Sequence, residues 1–130
     1  MSAQDFPENT PQADPCVLIV KHGHHLWLDT DGLIEDLSVD EAIAKLEAGP
    51  HIVCHKSALL RRLNISEEDA TSFVLMDVLE LFAFVRPATF TLPSPKGLAR
   101  ALSLPLPDEP DAEALTLMAA TQLLLKELGV

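Results

Sequence analysis

"HIVCHKSALLRR", residues 51–62, decides how the rest of this chain is read. His51 to Cys54 is a short apolar run, read as a buried strand. It passes through His55 into a basic stretch with helical spacing, Ser57 to Leu63, with Leu59, Leu60 and Leu63 on one side. A strand that hands over directly to a helix is the unit of a layered α/β protein, and binding groups often stand at the tips of its strands.

Moving outward, the same alternation recurs on the C-terminal side. "NISEEDAT" is a polar excursion, Phe73 to Met76 reads as a strand, and Val78 to Phe84 as a helix with Asp77 as its N-cap. Arg86-Pro87 stops that helix and "ATFTLPSP" is an extended loop. Ser94-Pro95 then caps and starts a short helix bearing Leu98, Ala99 and Leu102. After the proline-rich "LPLPDEPD", Asp111 is expected to cap a last amphipathic helix ending at Leu128.

On the N-terminal side lie strands. Val17 to Val20 and His25 to Leu28 are apolar runs, and Asp31-Gly32 is a hairpin turn signal leading into Leu33 to Leu37. Ser38 opens a helix, with Glu41 completing a capping box, and Gly49-Pro50 closes it. Residues 1–14 are polar, proline-containing and aperiodic, and read as a disordered tail; 15–130 form the domain. The expected fold is α/β (α+β), a mixed sheet with helices packed on it.

Composition narrows the function. A chain of 130 residues with 48% apolar content can bury a real core without staples. No long apolar run spans a membrane, and no basic n-region followed by an apolar segment marks a signal peptide. Cys16 and Cys54 make no close pair, so a cytoplasmic, reduced protein is expected. The net charge of −11 argues against nucleic-acid binding by the whole surface. Residues 1–50 carry ten acids and two bases, whereas 51–106 carry five acids and six bases. Any anion-binding face is therefore local, drawn from Lys56, Arg61, Arg62, Arg86, Lys96 and Arg100; scattered surface bases explain the same residues.

Other chemistry is weakly signalled. His22 and His24 alternate along an extended segment and could share a face, with His25 beside them, but spacing fixes no further metal ligand, and turn and strand-edge histidines are the preferred reading. Cys54 and His55 are neighbours on a strand and so point apart, against a thiol nucleophile with its base. Asp29 and Asp31 suit a turn. Asp77, at a strand tip, suits a helix cap better than a metal, although Asp77 with Glu80 is a residual metal alternative.

The order of elements, with "HIVCH", "DVLELFAFVRP" and "SPKGLARALSLPLP", resembles a ribonuclease H-like 3′–5′ exonuclease domain. More narrowly, "VCH", "DVLELFAFVRP" and "PKGLARALSLPLP" are similar to the N-terminal domain of bacterial DinG-type ATP-dependent DNA helicases, over residues 15 to 128. The exonuclease resemblance implies four acids holding two divalent metals. Here the first strand, "CVLIVKHG", carries no acid. His55 matches the histidine of the second motif, but Lys56 and Leu60 stand where an asparagine and an aspartate belong. The acid-bearing position of the last helix falls at Leu117. Lysine does not ligate magnesium at neutral pH and leucine never does, so the resemblance implies a degenerate nuclease site without catalytic residues.

The helicase resemblance implies a motor with ATP and Mg2+, yet no Walker A or Walker B motif occurs in these residues. The motor is expected beyond residue 130 of a longer protein. The expected role is a non-catalytic accessory domain that binds no cofactor itself, contacts the helicase motor in cis, and positions single-stranded DNA through Lys56, Arg61, Arg62, Lys96 and Arg100. The alternative is an acidic protein–protein interaction module, with "LFAFV", Leu81 to Val85, as an apolar contact.

Overall fold

The apolar run Cys16–Lys21 forms β1, the central strand of a five-stranded mixed sheet in the computed structural model, which describes residues 14–129. Val17, Leu18, Ile19 and Val20 are all buried, as expected of a strand covered on both faces. β2 (His24–Leu28) pairs antiparallel with β1, and β3 (Ile34–Asp36) antiparallel with β2. On the other side of β1, β4 (His51–Val53) and β5 (Leu75–Asp77) are parallel to it and to each other. The order is β3-β2-β1-β4-β5. This is the mixed α/β sheet expected from the sequence.

Two helical layers follow from the alternation of β1. Leu18 and Val20 pack with Ala42 and Leu46 of α1 (Val39–Ala48) and with Leu59 and Leu60 of α2 (Lys56–Arg62). Val17 and Ile19 face the opposite way, toward Phe82 of α3 (Val78–Val85), Leu98 of α4 (Pro95–Ala101), and Leu117 and Leu124 of α5 (Pro110–Leu128). Among the described residues no helix is long and apolar enough to cross a membrane.

Local signals set most element ends. Ser38 accepts from the Glu41 N–H while Glu41 accepts from the Ser38 N–H, closing the capping box at α1. Ser94 accepts from the Gly97 N–H, and Pro95 takes the first position of α4, where no N–H is needed. Gly97 is obligatory for a second reason: a Cβ there would overlap the Leu92 carbonyl. It lets the Leu92–Pro95 segment lie directly on the helix.

Several boundaries differ from the sequence reading. The first hairpin turns at His22-Gly23, with φ of 52° and 79°, and Lys21 faces His24 across it. Two consecutive positive φ values suit the twist of a two-residue hairpin, so "HG" is a turn and His22 shares no strand face with His24. β5 begins at Leu75 rather than Phe73, because a 3-10 turn at Asp69–Ser72 holds the Phe73 N–H on the Ala70 carbonyl. α2 begins at Lys56 rather than Ser57. At α5 the N-cap is Glu109, without a side-chain hydrogen bond; Asp111 lies inside the first turn. The expected tail lies outside the described residues, apart from Asp14.

Candidate functional site

Chain direction selects the place to look. β1 leaves the sheet toward β2 on one side, while β4 leaves through α2 toward β5 on the other. At such a divergence the carboxyl ends of neighbouring parallel strands leave a crevice. Here it is a cleft of about 250 Å3, lined by Lys21 at the end of β1 and His22 after it, Cys54 and His55 after β4, Arg62 of α2 and Glu113 of α5. Pro93, Ser94 and Pro95 form a further wall.

Four charged or polar side chains of the cleft have defined partners. Lys21 Nζ donates to Glu113 Oε2 at 2.8 Å, and the Glu113 side chain is almost fully buried. Glu113 Oε1 has no hydrogen-bond partner among the described residues. Arg62 Nη1 donates to the Val20 carbonyl at 3.0 Å, which ties α2 to the end of β1. His55 caps α2 from a left-handed conformation, φ 65°, and its Nδ1 accepts the Ala58 N–H at 3.3 Å. While that bond stands, the imidazole proton sits on Nε2.

Cys54 and His55 form no nucleophile–base pair. The imidazole is committed to α2, and burial, reinforced by the Asp77 and Glu113 carboxylates, pushes the Cys54 thiol up to about 12. A thiol held protonated in this way is a poor nucleophile at neutral pH.

Asp77 lies beside this site and is saturated. Oδ1 accepts the N–H groups of His55 and Leu79, each at 3.0 Å, and Oδ2 accepts the Lys56 N–H at 2.8 Å. One buried carboxylate thus caps α3 and fixes the backbone between β4 and α2. Glu80 is exposed, one turn along α3. Among the described residues there is no group of three or more His, Cys, Asp and Glu side chains that could hold a metal ion.

The other residues singled out in the sequence are dispersed. Leu60 and Leu117 are both buried, but in the two cores on opposite sides of the sheet, so these two motif positions do not converge on one centre. Of the six basic residues singled out in the sequence only Arg62 lines the cleft. Arg61 borders a depression with Asn64 and Asp69, and Lys56 another with Glu67 and Phe73. Lys96 and Arg100 are exposed on α4, whose first residue forms part of the cleft wall. Arg86 is bound by Glu127, with contacts of 3.1 and 2.5 Å, which clasps α3 to α5. The three N-terminal histidines also separate: His24 pairs with Asp36 at 2.8 Å, His25 Nδ1 meets the Leu37 carbonyl at 3.1 Å, and of the three only His22 reaches the cleft.

Two residues that sequence reasoning passed over, Lys21 and Glu113, form the charged centre of the cleft. The molecule is thus a mixed α/β domain with a small, cation-bearing crevice at the carboxyl ends of its parallel strands. No protein-family model, curated protein or solved structure matches the chain.

Proposed function

We propose that the chain is a non-catalytic, exonuclease-like accessory domain of an ATP-dependent DNA helicase, and that it positions single-stranded DNA for the motor. The observation that carries this reading is the cleft at the β1/β4 divergence, with Lys21 and Arg62 as cations and the His55 Nε2–H as a further donor. The mixed sheet with helices on both faces supports the ribonuclease H-like part of the reading. The helicase part rests on the resemblance of "DVLELFAFVRP" and "PKGLARALSLPLP". Lys56 and Leu60 at the motif positions, and the saturated Asp77 carboxylate, favour binding over phosphodiester cleavage.

Cleft placement refines the expected contacts. Arg62 is the primary anion contact of α2, Lys96 and Arg100 extend the path along α4, and Lys56 and Arg61 are peripheral. Fluorescence anisotropy with a labelled single strand, titrated at several salt concentrations, tests this directly. Arg62→Gln is expected to weaken binding and reduce the salt slope by about 0.7, the value for one phosphate contact on a single strand. Arg61→Gln should change both far less. Equal effects of the two variants would refute the cleft as the contact. No binding at low salt would refute the DNA role and favour the acidic protein-interaction module.

A further inference from the structure

α5 lies on β1 and β2 with α3 and α4 packed against it, while α1 and α2 occupy the opposite face of the sheet. The flank of α5 that faces the β2–β3 hairpin is left open. A groove of about 390 Å3 follows it from Leu115 to Leu125, with Met118 between them and Leu28 and Ile52 in its floor. Among the described residues no other helix contributes to its lining. The turn between β2 and β3 forms the far wall, where Asp29 Oδ1 accepts the N–H groups of Asp31 and Leu33 and so fixes the turn. Asp14 and Pro15 close the groove at the start of β1, whereas the cleft lies at the end of that strand.

Length and charge narrow the occupant. From Leu115 to Leu125 the groove tracks α5 for about 15 Å, the reach of about three turns of a second helix laid alongside. Leu115 is 53% exposed and separates this groove from a second apolar one of about 280 Å3, beside Leu104, Leu106 and Ala119. Among the described residues the only charged side chains lining either groove are acidic, Asp14 and Asp29. Asp31 is exposed in the same turn and Asp111 in the first turn of α5; the one cation of α5, Lys126, follows Leu125 at the far end. Apolar anchors with an acidic surround match a helix carrying leucine-type side chains on one face and Lys or Arg beside them. A second copy of this chain would bring the same aspartates rim to rim, at a net charge of −11 per chain. Residues 1–13 lack the complement too, since they carry Asp5 and Glu8 and no Lys or Arg.

We propose that the groove between α5 and the β2–β3 hairpin docks a basic amphipathic helix of a protein partner, with Leu115 as the central contact. The site is separate from the cleft and does not rest on the single-strand reading. The probe is a synthetic peptide with leucine on one helical face and lysine on the other, titrated into the full isotope-labelled chain. Amide shifts are expected at Leu115, Met118, Gln122 and Leu125 and in the turn from Asp29 to Gly32. Leu115→Gln should weaken binding about fivefold or more, the scale of a truncated anchor. Phe84→Gln, which removes a 73% exposed ring from α3, should leave it unchanged. The same peptide with glutamate for lysine should bind at least about tenfold more weakly, and that comparison needs no variant to fold. Equal losses in the two variants, equal binding of the two peptides, shifts confined to the cleft, or no binding would each overturn the site. A dimer in sedimentation velocity that Leu115→Gln dissolves would give the groove to a second copy and overturn it as well. Single-strand binding should be the same in Leu115→Gln and the native chain, so failure here and failure of the DNA reading are told apart.

Discussion

Replacing Asp77 by asparagine probes the joint between fold and site. The aspartate receives the N–H groups of His55, Lys56 and Leu79, and it is buried where β4, α2, β5 and α3 meet. Asparagine keeps the shape but has one acceptor oxygen. With that oxygen toward His55 and Leu79, the new NH2 group faces the Lys56 N–H, so one charge-assisted bond becomes a donor–donor contact and the other two lose their charge. Bonds to ionised groups are each worth about 1.5–3 kcal/mol, so the combined loss is about 2–4 kcal/mol. Urea unfolding followed by circular dichroism measures it. With a slope of about 2 kcal/mol/M, the midpoint should fall by about 1–2 M while the slope itself is unchanged. Glu80→Gln, on the exposed side of the same helix, serves as the control and should stay within about 0.5 kcal/mol of the native chain. An Asp77→Asn midpoint equal to that control would refute the staple. A magnesium-dependent gain in native stability that disappears in Asp77→Asn would instead restore the metal alternative.

Two further outcomes follow from local geometry. His51 Nε2 accepts the Trp27 indole N–H at 3.0 Å, Nδ1 donates to the Gly49 carbonyl, and burial, with a smaller push from Lys45, lowers its pKa below 6.5. Between that lowered value and 6.5 the unfolded chain binds the extra proton, so this contribution to stability is complete above 6.5 and is lost as the pH falls through the window. In His51→Phe the acid sensitivity of the urea midpoint should shrink, and an unaltered pH profile would refute the assignment. Gly97→Ala sets a methyl group against the Leu92 carbonyl, so it should cost about 1–3 kcal/mol as an overpacked site and displace the Pro93–Pro95 wall. Thermal unfolding combined with amide shifts of residues 92–97 checks both effects.

Much of the architecture was legible because short-range chemistry dictated it. Ser38 with Glu41, Asp77, and Ser94 with Pro95 each announce a helix start, and each performs that role. The three histidines read better as turn and strand-edge residues than as metal ligands, and His22 does lie in the turn with His24 and His25 opening β2; the turn's place at His22-Gly23 was not legible because histidine is an unusual partner for glycine there. The centre of the cleft was less accessible still. Lys21 and Glu113 are 92 positions apart and meet only through the packing of α5 on β1. A signal was nonetheless present. Glu113 falls on the stripe formed with Leu117, Ala120 and Leu124, all buried, and an acid on the core face of an amphipathic helix needs a partner. Leu117, the position drawn from the resemblance, lies one helical turn further into that core.

The location of Trp27 has a consequence for anyone following this protein in solution. The chain has a single tryptophan, and it packs against the core beneath α1 and α2, with the Lys45 ammonium 4.1 Å from its ring centre. Its emission therefore witnesses only one side of the sheet and is blind to the layer of α3, α4 and α5. If α5 peels away first and takes Glu113 from the cleft, ellipticity falls while the indole signal holds. Coincidence of the two curves would instead establish that the central strand, which contributes alternate residues to both cores, makes the two halves melt as one.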